Sequence, residues 1–332
     1  MNQKERLLKA LALQPVDRPP AAVPTQNAIE EVMEKSGYKW PEALRKASAM
    51  AGLAWACHEI GGIESVRVPF DITIEAEAMG CETRFGEEAT APPMSMPKSR
   101  ETYHTIRIPD PLRDGRMPEV LEAITLLREK AGDEVPVIAA LGTPFELLST
   151  TLSFEDITMA LYKDPDFLLR QMEIMTGIAK SYAAEIEKRN PDVLMLVDGT
   201  SQALGPSYYT RFSFPYTREM VQALQKPAVL HICGNATPLL DQMVATGVKG
   251  LSIDKPVDTE KARRTAAGKA ALVGNISPHT LCLGSKQEIE AETMEALRSG
   301  MQVVAPGCGI LPQTSLENLQ TYIRCVTEGC AG

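Results

Sequence analysis

The chain has 332 residues, 44% of them hydrophobic and only 5% aromatic, with a formal charge of −9 at neutral pH. That length can bury one large α/β core or two smaller ones, and the acidic balance excludes nucleic acid as the main partner, since phosphate binding needs a basic face. No apolar run approaches a membrane span, and the first residues are charged at Lys4, Glu5, Arg6 and Lys9 where a secretory leader would be apolar, so a cytoplasmic protein with no membrane partner is expected.

Taken in order, residues 4–14 put Leu7, Leu8, Leu11 and Leu13 on one side of a helix, closed by Pro15 and the Arg18-Pro19-Pro20 break. This helix is expected to cap the fold, with residues 1–20 as its lead-in. After it, short aliphatic runs alternate with longer helical patterns. The runs, read as strands, are 21–25, 65–70, 136–140, 193–198, 228–233, 250–254, 271–275 and 302–307. The helical patterns cover 41–60, 118–131, 165–188, 206–224, 238–246, 286–299 and 316–326, several opening on proline.

Strand and helix repeated in this way predict a single (β/α)8 TIM barrel spanning residues 1–332. An open doubly wound sheet shares the alternation, but no Gly-x-Gly-x-x-Gly follows the first run. Polar residues also gather at the C-terminal ends of the strands, where a barrel collects its active site: Gln26, Asp71, Asp198, His231, Asp254, Asn275 and Cys308. Residues 78–114 break the rhythm and read as an insertion after the second strand. It holds Gly80-Cys81, Phe85-Gly86-Glu87-Glu88 and Pro92-Pro93-Met94-Ser95-Met96-Pro97. A hairpin and flap at the barrel mouth, with Met94 and Met96 as adaptable apolar contacts, is one reading; a decorated surface loop is the other.

The sharpest chemical signal is in 228–235. A strand there has a side-chain period of two, so His231 and Cys233 point to the same side. A second strand end offers Cys308 between Gly307 and Gly309, where backbone can approach an ion closely. Structural zinc sites cluster cysteines in short loops; three ligands from two distant strands leave one tetrahedral position open, which is the pattern of a catalytic zinc. Seven cysteines, odd in number and scattered, agree with reduced thiols of which a few bind metal.

Five stretches together carry a family resemblance. They are Glu5-Arg6-Leu7-Leu8, Pro15-Val16-Asp17-Arg18-Pro19, Val66-Arg67-Val68-Pro69-Phe70-Asp71, Leu230-His231-Ile232-Cys233-Gly234 and Ala305-Pro306-Gly307-Cys308-Gly309. The chain resembles the uroporphyrinogen decarboxylase superfamily over its full length, specifically the methylcobamide:coenzyme M methyltransferase branch. In that branch a His-x-Cys pair and a distant Cys bind zinc, which carries over to His231, Cys233 and Cys308. The decarboxylases instead resemble one another in an arginine-rich segment after the first strand, where this chain has Thr25-Gln26-Asn27-Ala28.

The resemblance implies a methyltransferase that takes a methyl group from a methylated corrinoid, carried by a partner protein, and gives it to a small thiol, coenzyme M foremost. A tetrapyrrole decarboxylase and transfer to another acceptor such as a folate are the alternatives. A thiol needs zinc to lose its proton near neutral pH, and two thiolates with a neutral imidazole keep the bound sulfur nucleophilic. Around that centre, Asp254 can be a replaceable fourth ligand, an acceptor of the thiol proton or a partner orienting His231. Asp198 stands with it as a catalytic candidate. Gln26, Arg67, Asp71 and Asn275 are candidate substrate contacts, with Arg67 a suitable cation for a sulfonate; hydrogen bonding at the rim would explain the polar ones equally well.

Overall fold

The computed structural model of the protein describes residues 1–86 and 92–329. Its strands are β1 (Val66–Val68), β2 (Glu82–Arg84), β3 (Met94–Met96), β4 (Val137–Gly142), β5 (Val193–Asp198), β6 (Ala228–Ile232), β7 (Gly250–Ile253), β8 (Ala271–Ile276) and β9 (Val303–Pro306). Seven of them form one curled parallel sheet in the order β1-β4-β5-β6-β7-β8-β9. Each successive pair is joined by helix, as parallel pairing requires.

Period-two alternation sorts the aliphatic residues of these strands into two separate layers. Ile138, Val193, Met195, Val229, Val273 and Val303 face inward and pack with one another. Leu141, Leu194, Leu196, Leu230, Leu251 and Leu272 face outward into the much larger layer beneath the helices. Helix Gln3–Leu11, capped by the Asn2 side chain accepting from Glu5 N, drives Leu7 and Leu11 into the inner layer. There they meet Ile138, Val193, Val229 and Val303 near the starts of their strands, so the helix stops the N-terminal end of the sheet's interior.

The stretch 21–25 is extended but is not a strand. Pro20 and Pro24 have no N–H to give to a ladder. The donors beside them are taken by side chains, Ala21 N by Glu64 Oε2 at 2.9 Å and Val23 N by Ser65 Oγ at 3.2 Å. The segment still lies between the two sheet edges, because Val304 N donates to Pro20 O and Glu64 N to Ala21 O, both at 3.1 Å.

Two further differences have local causes. The helical pattern 206–224 is two helices, Gly205–Phe212 and Phe214–Ala223, because Pro215 can only stand in a first turn. Helices Pro144–Thr151 and Phe154–Lys163 occupy a stretch that the strand-and-helix reading left unassigned, each announced by a capping side chain, Thr143 and Ser153. Within 78–114, β2 and β3 pair antiparallel, Thr83 opposite Ser95, and Met94 is 66% exposed. Glu87 and Glu88 lie outside the described residues. Among the described residues no helix is long and apolar enough to cross a membrane.

Candidate metal centre

Strand β6 carries Val229, His231 and then Cys233 along the inner face, so the apolar layer gives way to ligand atoms at the C-terminal end of the sheet. Cys308 arrives from the turn after β9. His231 Nε2 lies 3.2 Å from Cys233 Sγ, and Cys233 Sγ lies 3.7 Å from Cys308 Sγ. All three ligand atoms fall within 4.8 Å of one another. Two sulfurs each ~2.3 Å from a tetrahedral zinc stand ~3.8 Å apart, so the observed spacing fits such an ion.

The electrostatics agree with a pair of thiols competing for one proton. Cys308 is held below the ordinary thiol value, first by its hydrogen bond with Cys233, against the effect of burial. Cys233 is pushed up, first by that same bond and then by burial. A metal ion held here would replace the shared proton and let both sulfurs be thiolates.

His231 is 2% exposed, and its Nδ1 faces Ser252 O at 3.3 Å and Ser252 Oγ at 3.1 Å. Donation from Nδ1–H to the Ser252 carbonyl leaves the Nε2 lone pair aimed at the sulfurs, the tautomer a metal ligand needs. Ser252 pairs with His231 in the β6–β7 register, and sequence reasoning passed over it. Its signal was present: Ser252 and Asp254 alternate with Ile253, so they share the inner face.

The ligands open into a cavity of about 550 Å³ whose walls include Phe70, Ile72, Pro92, Pro93, Ile310 and Leu311. Arg67 is the one Lys or Arg among its described lining residues. Its Nε donates to Pro24 O at 3.1 Å and its Nη1 to Pro69 O, and among the described residues no hydrogen bond is made by Nη2. Burial draws the guanidinium down to about 10, so it remains charged at neutral pH.

The other expected residues have varied surroundings. Gln26 lines the cavity, yet its amide bonds the backbone at Ala28 and Ile310. Asp71 lines it too, with its carboxylate engaged by Arg116 Nη1 at 2.9 Å and by Thr73 N and Oγ1. Asp254 is outside the ligand cluster: Oδ2 accepts from Gly234 N at 2.9 Å and Oδ1 from Lys255 N at 2.7 Å. Asp198 is fully buried; Oδ1 accepts from Ser201 N, Oδ2 accepts no hydrogen bond among the described residues, and its carbonyl accepts from Cys233 N at 3.3 Å. Asn275 is buried at the end of β8 and is not among the cavity's lining residues.

Two carboxylates that the sequence reading did not single out lie close by. Glu146 Oε2 accepts from Gly199 N at 2.7 Å, and Glu75 Oε1 accepts from Gly142 N at 2.9 Å. Burial first, then the charge of Asp198, pushes Glu146 up to about 8; burial pushes Glu75 up to about 7.

A uroporphyrinogen decarboxylase (URO-D) family model matches residues 2–329. The methylcobamide:CoM methyltransferase MtaA of Methanosarcina barkeri is 35% identical over 330 residues, 98% of this chain and 97% of its own. A solved methyltransferase from Methanosarcina mazei superposes with a TM-score of 0.93 at 36% identity, over 99% of either chain. The uroporphyrinogen decarboxylase of Geobacter metallireducens is 27% identical over 338 residues, 97% of either chain. Matched over nearly all its length, and nearer in sequence to the methyltransferase than to the decarboxylase, the chain belongs to the uroporphyrinogen decarboxylase family, in its methylcobamide:CoM methyltransferase branch.

Proposed function

We propose that this protein is a zinc-dependent methyltransferase that moves a methyl group from a methylated corrinoid, presented by a partner protein, to the thiol of coenzyme M. The observation that carries this reading is the meeting of His231, Cys233 and Cys308 at the floor of a roomy cavity. Zinc held by these three would supply a Lewis-acid site at which a thiol could lose its proton near neutral pH.

The chain's own residues do the rest by position. The Ser252 carbonyl, accepting from Nδ1–H, keeps the His231 ring in its ligating tautomer. Asp198 and Asp254 hold the backbone on either side of Cys233 through its own N–H and that of Gly234. Arg67 offers charge to the sulfonate end of the acceptor, and the apolar walls exclude water from the reacting sulfur. A porphyrinogen bearing many carboxylates would find only that one lining cation, which weighs against decarboxylation. The same reading takes residues 1–332 as one barrel in which the 20–26 segment stands as the eighth stave. It also places the protein in a reducing cytoplasm, where Cys233 and Cys308 persist as thiols.

Purified protein should hold about one zinc per chain, Cys308→Ala should lose most of it, and methylcobalamin should methylate coenzyme M only with the metal-loaded wild type. Full zinc retention by Cys308→Ala would sink the ligand assignment. Zinc-loaded protein that methylates no thiol would sink the activity.

A further inference from the structure

The three ligands are not held equally well. His231 sits inside the β6 ladder, and Cys233 follows it directly with its N–H bonded to Asp198 O. Strand β9 ends at Pro306, and Cys308 lies beyond it in a turn flanked by two glycines, residues that add no stiffness of their own. What fixes the sulfur must therefore come from outside the turn.

Most of it comes from two adjacent residues of the extended N-terminal segment. Thr25 Oγ1 donates to Cys308 O at 3.0 Å. Gln26 Nε2 donates to Ile310 O at 2.8 Å, while Ile310 N donates to Gln26 O at 2.8 Å, so one residue holds both polar groups of Ile310. The turn lies flat on this segment: a Cβ at Gly309 would stand 3.2 Å from Gln26 Cβ. Opposite it, a Cβ at Gly307 would stand 3.0 Å from both Asp254 Cα and Asp254 Oδ1. The Cys308 turn is gripped between Gln26 and Asp254, and glycine is what lets both walls approach.

The Gln26 side chain has no hydrogen left for a substrate. Its Oε1 accepts from Ala28 N, which fixes the orientation of the amide, and its Nε2 donates to Ala28 O at 3.2 Å as well as to Ile310 O. We propose that Gln26 is a positioning residue of the metal centre, holding the Cys308 turn at the sulfur spacing that a shared ion requires. This rests on the zinc reading above and assigns to Gln26 the ligand geometry in place of acceptor binding.

The test compares wild type with Gln26→Met, which keeps length and loses every hydrogen bond of the amide, and Gln26→Glu, which keeps an acceptor for Ala28 N but sets oxygen against Ile310 O. Zinc affinity is measured by competition with a chromophoric chelator. Both variants should bind about 10- to 100-fold more weakly, Gln26→Glu the weaker. With cobalt in place of zinc, thiolate-to-metal absorption should fall toward that of Cys308→Ala. The metal-free variants should unfold within a few degrees of metal-free wild type, too small a loss to account for the weaker zinc binding, and KM for the thiol at saturating metal should stay within about twofold. Unchanged affinity with a raised KM would make Gln26 an acceptor contact and overturn the proposal. Weaker zinc binding accompanied by a matching loss of stability in the metal-free variants would reduce it to a fold residue. Wild type that binds no zinc would overturn the metal reading, and this assignment with it; zinc-loaded wild type beside unaltered variants would overturn this assignment alone.

Discussion

Arg67 combines burial and charge at the wall of the cavity. A charge-assisted contact with a sulfonate acts on substrates that carry one and on no others. Arg67→Met should therefore raise KM for coenzyme M about tenfold while leaving KM for the neutral 2-mercaptoethanol nearly unchanged. Steady-state kinetics with both thiols check this, and the ratio cancels any shared loss of stability. Equal changes for the two thiols would leave Arg67 a purely structural cation serving Pro24 O and Pro69 O. At this scale the sequence was most legible where period two and residue chemistry coincide. His231 and Cys233 needed only that rule, and Cys308 needed a second strand end with a soft ligand. The same rule on β7 puts Ser252 on the inner face beside His231, but the group that selects the tautomer is its backbone carbonyl, which residue type does not reveal. Asp71 and Gln26 could not be assigned in this way. Besides their neighbours Thr73 and Ala28, Asp71 is held by Arg116, 45 residues along the chain, and Gln26 by Ile310, 284 residues away. Chain separations of that size leave no local trace.

At the scale of elements, the β2–β3 hairpin joins the cavity wall to solvent. Pro92 and Pro93 line the cavity, and the strand that follows them presents Met94 to solvent. Unbranched, polarizable side chains suit a surface that must fit a large and variable face. Met94→Ala with Met96→Ala should weaken methyl transfer from a corrinoid protein several-fold more than transfer from free methylcobalamin, measured as kcat/KM for each donor. Equal losses with both donors would assign the hairpin to chemistry or folding. The seven sheet strands were readable because each is buried on both faces and all but β1, with Arg67 at its centre, are mainly aliphatic. The stretch 21–25 reads the same way and fails to join the ladder, because its prolines withhold donors and Glu64 and Ser65 satisfy the N–H groups that remain. Hydropathy sees the burial of Ala21 and Val23 but not the destination of their hydrogen bonds.

On the scale of the whole molecule, the sheet has two edges, β1 and β9, and a single extended segment lies between them. A seam of that kind is the cheapest place for the structure to open: Val304 N and Glu64 N each rely on one carbonyl of the segment, where the inner strands share continuous ladders. The same segment continues through Thr25 and Gln26 to the backbone of Cys308 and Ile310. An ion binding Cys308 would thus fasten, through a few hydrogen bonds, the margin along which the protein breathes. Deuterium exchange should be faster at the amides of Val304 and Glu64 than at those of Leu230 and Leu251 without metal, and zinc should slow the first pair selectively. Seam amides indifferent to zinc would mean that local opening stops short of the ligand turn. If they respond, a single coordinated atom governs how often a protein of 332 residues comes apart at its edge, and metal supply becomes a control on its lifetime against proteolysis as well as on its chemistry.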